Sequence, residues 1–215
     1  MIKIRTLLLI LIPAFIILAL AMFVRILQFQ SITPSEKEIE KWADAKNFTI
    51  PLYKEDPIIG NSRVGINIVI FEDFNCAACK VQNTLLKKLV NKYPDKVKII
   101  WKGLSSAGFP YPTEMAHSYS YCANEQNKFI EFKDFAFVNS DNLSEDTLNL
   151  IIENIDINLN KFEKCLQSDS PAIHLQKNEI IAQALNIQNI PTAFINNKQI
   201  QIPSLLEGWE TLLSL

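Results

Sequence analysis

Histidine and glycine are scarce in this sequence, with two histidines (His117 and His174) and five glycines in 215 residues. So few imidazoles leave little material for a His-rich metal site or a Ser-His-Asp triad. No glycine falls in GxGxxG or GxxxxGK[ST] spacing, so no loop is built to cradle a nucleotide phosphate. A surplus of positive charge is missing too. Lys and Arg number 21 against 23 Asp and Glu, a net charge of −2, and without a basic field nucleic acid is not an expected partner. The rest is globular in composition, with 48% apolar and 20% charged residues. At roughly 100–200 residues per domain, the length allows one domain with additions.

The amino end sets the compartment. Lys3 and Arg5 precede an uncharged apolar run, Thr6–Val24, closed by Arg25. A run of this length makes roughly 28 Å of helix, near the ~30 Å of a bilayer's hydrocarbon. Pro13 inside it is better tolerated in a membrane helix than in a soluble one. Residues 1–25 are therefore expected to be a single-helix anchor, with a cleaved signal peptide as the competing reading and a buried soluble helix as a third. The signal peptide would use Lys3 and Arg5 as n-region, Leu7–Leu18 as h-region and Ala19-Leu20-Ala21 as cleavage site. Continuation of the apolar run through Met22-Phe23-Val24 favours the anchor. Both leading readings put the rest of the chain outside the cytoplasm, although Arg25, Lys37 and Lys41 weaken the charge bias. There disulfides are chemically permitted. Without the segment the body keeps 18 basic and 23 acidic residues, a net charge of −5.

Residues 26–62 are expected to be a helical spacer and linker. Thr33 as N-cap, Pro34 at the first helical position and Glu36 in a capping box open a helix that ends near Lys46, with Trp42 packing. Pro51, Pro57 and Gly60 make 47–62 extended or looped. Gly65–Phe71 is a β-branched run of the kind buried on both faces of a sheet. Ala77–Tyr93 carries a helical stripe of Leu85, Leu86, Leu89 and Val90, and Val97–Trp101 is a second strand. Strand, helix and strand make a βαβ unit with parallel strands.

From Pro112 to about Leu185 the pattern is helical, divided by breaks at Asn139–Leu143 and Asp156–Asn158 into four or five helices. Thr192–Ile195, an Asn196-Asn197 turn and Gln199–Ile202 form a hairpin. Ser204 and Glu207 cap a closing helix, Leu205–Leu213. The sum is an α/β fold: β-α-β over 63–111, an all-helical insert over 112–186, and β-β-α over 187–215.

The chemistry sits in Cys76-Ala77-Ala78-Cys79, directly after a buried strand and at the opening of a helix. Two intervening residues let the sulfurs meet in a small ring. The first thiol lies beside unpaired backbone N–H groups and the positive helix end, which favour thiolate and lower such pKa values to about 3.5–7.5. Cys76 is thus the exposed nucleophile and Cys79 the buried resolving thiol, with exchange through a mixed disulfide on Cys76. A zinc knuckle would need a second CxxC or a His pair, and Cys122 and Cys165 supply neither. An inert structural disulfide is the other alternative, which a strand-to-helix junction disfavours. Downstream, Asn189-Ile190-Pro191-Thr192 puts a proline just before a strand; sequence alone does not make that bond cis, since only about 5–6% of X–Pro bonds are.

DPIIGNSRVGINIVIFEDFNCAACK, SYCANEQNKFIEFKDFAF, FEKCL and ALNIQNIPTAFIN resemble, in order, the DsbA-like branch of the thioredoxin superfamily over about residues 56–213. The resemblance implies a thioredoxin fold interrupted by a helical domain, with Cys76, Cys79 and a cis Pro191 as active-site residues. It also implies a bridge between Cys122 and Cys165 within the helical domain, worth roughly 3–4 kcal/mol; two buried free thiols remain the alternative. The chain departs from the family in its Ala-Ala dipeptide, which lacks the Pro-His of strongly oxidising members, and in Ile190, which is like the reducing thioredoxins. The superfamily's buried acid falls at Ile70. Glu72 and Asp73 are nearer to Cys76 and are candidates to relay protons to Cys79, or else mark a solvated strand end. Lys80, His117 and His174 read as surface residues. Trp101 and Phe109-Pro110-Tyr111 read as core, with a peptide-groove edge as the sharper option. Asn47-Phe48-Thr49 and Asn142-Leu143-Ser144 match glycosylation sequons.

The expected function is a membrane-anchored, extracytoplasmic thiol–disulfide oxidoreductase acting on exported cysteine-containing proteins as an oxidant and reoxidised by a membrane redox partner of DsbB-like type. No organic cofactor is implied, because the dithiol is itself the redox centre. A disulfide reductase of the cytochrome-maturation type and a non-enzymatic thioredoxin-fold binding module are the alternatives.

Overall fold

The computed structural model describes residues 12–13, 15–25, 49–105 and 112–215. Residues 12–13 and 15–25 are helical and exposed. The rest of the Thr6–Val24 run, the spacer helix expected up to Lys46 with Trp42, and Phe109-Pro110-Tyr111 lie outside the described residues. Among the described residues no helix is long and apolar enough to cross a membrane.

The body is built on five strands: β1 (Ile58–Gly60), β2 (Ile66–Glu72), β3 (Val97–Gly103), β4 (Thr192–Ile195) and β5 (Lys198–Ile200), in the order β1-β3-β2-β4-β5. β2 and β3 are parallel, with Ile68 opposite Ile99 and Ile70 opposite Trp101. The remaining neighbours are antiparallel. Side chains alternate across a strand. Ile68 and Ile70 therefore enter one core with Ile99, Trp101 and Ala193, while Val69 and Phe71 enter a second with Ile50, Ile100, Ile181 and Phe194. Covering both faces is what makes the centre of β2, Ile68–Phe71, a continuous apolar run.

Helix α1 (Ala77–Lys92) makes the crossover from β2 to β3 and buries Leu86, Leu89 and Val90. Between β3 and β4 the chain forms α2 (Glu114–Asn124), α3 (Phe129–Val138), α4 (Glu145–Glu153), α5 (Leu159–Leu166) and α6 (Ser170–Ala184). α2 packs against each of the other four. Ser144 caps α4 by accepting from Thr147 N, and Asn158 caps α5 by accepting from Lys161 N, each worth about 1 kcal/mol. Cys122 on α2 and Cys165 on α5 are joined by a disulfide with Cα atoms 5.7 Å apart. The β4–β5 turn, Asn196-Asn197, has φ of 51° and 62°, the two positive values that a type I′ hairpin turn needs.

Two local expectations are corrected. The segment read as a loop contains β1, whose three residues alternate exposed, buried and exposed, too short a run to register as a pattern. Gly60 there has φ +99°, and a Cβ would lie 2.9 Å from a Val90 methyl, so glycine alone fits. The last helix, α7 (Leu206–Leu213), starts one residue later than expected, with Leu205 in the N-cap place and no side-chain cap, so the Ser204/Glu207 capping box does not form. Packing replaces the cap. Trp209 is fully buried and donates from Nε1 to Gln82 Oε1 at 3.2 Å, while Gln82 Nε2 donates to the Pro203 carbonyl at 2.8 Å.

Replacing Cys122 and Cys165 together by Ala removes a cross-link spanning 43 residues. Urea unfolding is expected to show a loss of about 3–4 kcal/mol.

Candidate active site

Cys76 occupies the N-cap of α1 with extended backbone, φ −86° and ψ 112°. Its Sγ accepts the Cys79 N–H at 3.1 Å, and its carbonyl accepts the Lys80 N–H at 3.0 Å. The first turn of α1 holds no acidic residue, so nothing negative on the helix opposes a thiolate at its positive end. The two sulfurs are bonded, with Cα atoms 5.1 Å apart. Cys76 is half-buried, Ala77 and Ala78 are exposed, and Cys79 is fully buried. Of the two sulfurs, that of Cys76 is therefore the accessible one and that of Cys79 is covered.

The Ile190–Pro191 bond is cis, and it directly precedes β4. The Ile190 carbonyl oxygen lies 3.7 Å from Cys76 Sγ, although 114 residues separate the two in sequence. Thr192 Oγ1 donates to the Asn189 carbonyl, which closes this loop on itself. Both signals found in the sequence thus converge on one sulfur.

Behind the cysteines lie buried charges. Glu72, the last residue of β2, accepts at Oε2 from Trp101 Nε1 (2.9 Å) and Lys133 Nζ (2.8 Å). Its Oε1 has no partner among the described residues. Lys133, on α3, is 2% exposed and sits 5.4 Å from the ring centres of Trp101 and Phe137. Burial pushes its pKa below the usual lysine range, with the Glu72 charge opposing that shift. Asp73 is also fully buried and accepts at Oδ1 from Phe74 N (2.7 Å). His117 Nε2 lies 3.1 Å from the same oxygen, and Thr113 Oγ1 donates to Oδ2 at 3.1 Å. A third carboxylate, Asp56, takes Lys102 Nζ (2.6 Å) and Tyr53 N (2.7 Å) on Oδ2, with His174 Nε2 3.1 Å from Oδ1. Burial lowers the Lys102 pKa, again against its acid partner.

These findings correct the surface assignments. Glu72 and Asp73 are not a solvated strand end, and His117 and His174 are not surface residues; each finds a buried partner of complementary chemistry. Polarity implies exposure only while a side chain is unpaired. Lys80 is half-buried, with Nζ 3.4 Å from both the Val138 carbonyl and Ser140 Oγ. Ile70 lies in the core, and Trp101 is core as expected. Lys133, Lys102, Thr113 and Asp56 were not singled out from the sequence. The one available signal is positional: in FIEFKDFAF, Lys133 falls at helical spacing from Phe129, Phe132, Ala136 and Phe137, on the apolar stripe.

This strand, helix and cis-proline loop around one CxxC define a DsbA-like protein of the thioredoxin superfamily. Residues 53–214 match the family Thioredoxin_4, described as thioredoxin, and the chain belongs to it. It is 24% identical over 153 residues to the Na(+)/H(+) antiporter NhaA 3 of Salinispora tropica, a match covering 71% of this chain and 23% of that protein. The chain thus spans about a quarter of the first curated relatives it matches. Disulfide bond formation protein D of Bacillus subtilis is 22% identical, covering 70% of this chain and 72% of that one. The catalytic domain of Proteus mirabilis ScsC superposes with a TM-score of 0.66 at 21% identity, covering 77% of this chain and 90% of that one.

Two outcomes follow for stability. Lys133→Met strands the Glu72 carboxylate in the core, and chemical unfolding at neutral pH is expected to show a loss of about 3–5 kcal/mol that Glu72→Gln added to it largely restores. At Gly103 a Cβ would lie 2.5 Å from His117 Nδ1 and 2.8 Å from the Trp101 ring. Gly103→Ala is expected to cost about 1–3 kcal/mol by the same assay.

Proposed function

We propose that this chain is an extracytoplasmic thiol–disulfide oxidoreductase that works as an oxidant on exported cysteine-containing proteins. The observation that carries this reading is the half-exposed Cys76 sulfur, bonded to a buried Cys79 and accepting an N–H at the start of α1. A substrate thiolate attacks Cys76 Sγ, the Cys76–Cys79 bond breaks, and Cys79 leaves and takes up a proton. A second substrate thiolate then attacks the substrate sulfur of the mixed disulfide and releases Cys76 as thiolate. The substrate is oxidised by two electrons and the protein is reduced by two.

Stabilising the Cys76 thiolate stabilises the reduced protein, which makes the disulfide the better oxidant. That favours oxidation, as does the likeness to a protein named for disulfide bond formation. Ile190 and cis Pro191 present a backbone edge beside Cys76 for the substrate peptide. Glu72, whose Oε1 has no partner among the described residues, is the acid we assign to relay a proton to Cys79. The Cys122–Cys165 bridge serves stability. Residues 63–111 and 187–215 form the thioredoxin halves around a helical insert, 112–186. Residues 1–25 anchor the chain in the membrane, and a membrane redox partner reoxidises it.

The test is refolding of a reduced, cysteine-containing substrate with the full chain. Wild type is expected to form substrate disulfides, Cys76→Ser to abolish this, and Cys79→Ser to accumulate the mixed disulfide. Equal performance by wild type and Cys76→Ser would leave only a binding module. A Cys76–Cys79 potential nearer the roughly −270 mV of thioredoxin than the roughly −120 mV of DsbA would make it a reductase.

A further inference from the structure

His117 takes part in no exchange step described above, yet its ring bears on the turn from which Cys76 emerges. It lies on α2, 4% exposed, with Nε2 3.1 Å from Asp73 Oδ1. A carboxylate oxygen accepts, so the imidazole donates from Nε2. Oδ1 also takes the Phe74 N–H, and Oδ2 takes the Thr113 hydroxyl proton. With that proton committed, Ser105 Oγ donates to Thr113 Oγ1 at 3.1 Å. The Asp73 carbonyl closes the turn by accepting the Cys76 N–H at 3.3 Å. Side chain and main chain of one residue thus set the path from β2 into α1.

The imidazole has little freedom of its own. It stacks on Trp101 with centroids 5.6 Å apart at 27°, and lies 5.1 Å from the Phe74 ring. Gly103 comes so close to Nδ1 that a Cβ there would overlap it. Nδ1 has no partner among the described residues, so within them Asp73 is the ring's polar anchor. Other charge near it comes from Glu179 on α6, which interacts electrostatically with His117 and with Glu114 at the start of α2, while Glu72 and Lys133 are paired with each other.

We propose that His117 is a positioning residue for the redox cysteine: by clamping Asp73 it holds the Asp73–Cys76 turn that sets Cys76 Sγ 3.1 Å from the Cys79 N–H, and so favours ionisation of Cys76 in the reduced protein. This rests on the function proposed above and adds a residue to its machinery. Losing the clamp slackens the turn, weakens the N–H···S bond and makes the thiolate less stable.

The test uses the full chain as wild type, His117→Leu and His117→Gln. Leucine removes the donor; glutamine keeps an N–H donor at similar reach without a titrating ring. Two quantities are read: the pH dependence of Cys76 alkylation in the reduced protein, and the equilibrium of Cys76–Cys79 with glutathione. His117→Leu is expected to lower the thiolate fraction about tenfold below its midpoint, and to shift the glutathione equilibrium about tenfold toward the disulfide, close to 30 mV. His117→Gln is expected to stay near wild type in both. A leucine variant that matches wild type, or a glutamine variant as impaired as leucine, overturns the proposal. Should leucine prevent folding, the imidazole nitrogen shifts of the wild type decide: protonated Nε2 in both redox states supports the clamp, and protonated Nδ1 with bare Nε2 overturns it. If wild type oxidises no protein thiol while leucine still moves the Cys76 ionisation, the functional reading falls and the clamp stands.

Discussion

The N–H of Cys79 points at the sulfur of Cys76 across 3.1 Å, and much of the surrounding structure keeps that bond in place. A helix start offers N–H groups with no partner of their own, and any anion that forms there is stabilised by them and by the aligned peptide dipoles. Such stabilisation works only if the anion cannot swing away. From the front, the Asp73 turn fixes where the chain enters α1. Across the active-site surface, the carbonyl before Pro191 closes on the same atom. From below, Cys79 is packed without exposure, so the disulfide opens toward solvent on the Cys76 side.

That arrangement requires β2 to run out into the interior and not into water. Its end carries two carboxylates, Glu72 and Asp73, in a region with no exposure. Buried charge is tolerated only with counter-charge and hydrogen bonds at close range. The helices between β3 and β4 supply both, Lys133 from α3 and His117 from α2. The sheet and the helical segment are therefore bound by electrostatics as well as by packing. A third acid, Asp56, shares Lys102 of β3 and His174 of α6, and ties the lead-in to β1 to both.

Most of the architecture was legible in the residues. β2 and β3 show as β-branched runs, α1 shows in its leucine stripe, and Asn196-Asn197 marks the hairpin, because each is a repeating or local pattern. The CxxC and Ile-Pro-Thr segments were legible for the same reason. β1 was not, since three residues with one buried side chain leave no periodicity. The start of α7 was misplaced because a Ser-x-x-Glu spacing lost to the burial of Trp209. The buried polar pairs are hidden from the sequence for a deeper reason. Whether His117 or Glu72 faces water depends on a partner 44 or 61 residues away, and no local window contains it.

Gln82 holds a timing consequence. Its side-chain amide uses both ends, giving a proton to Pro203 and taking one from Trp209, residues 121 and 127 positions later. A polypeptide emerging amino end first exposes the CxxC helix long before those residues exist to receive it. Until they arrive, water holds the amide on the flank of that helix where the indole will later lie. The reactive dithiol is thus made early and seated late, and a nascent chain passes through an interval in which its cysteines are present but their setting is not yet complete.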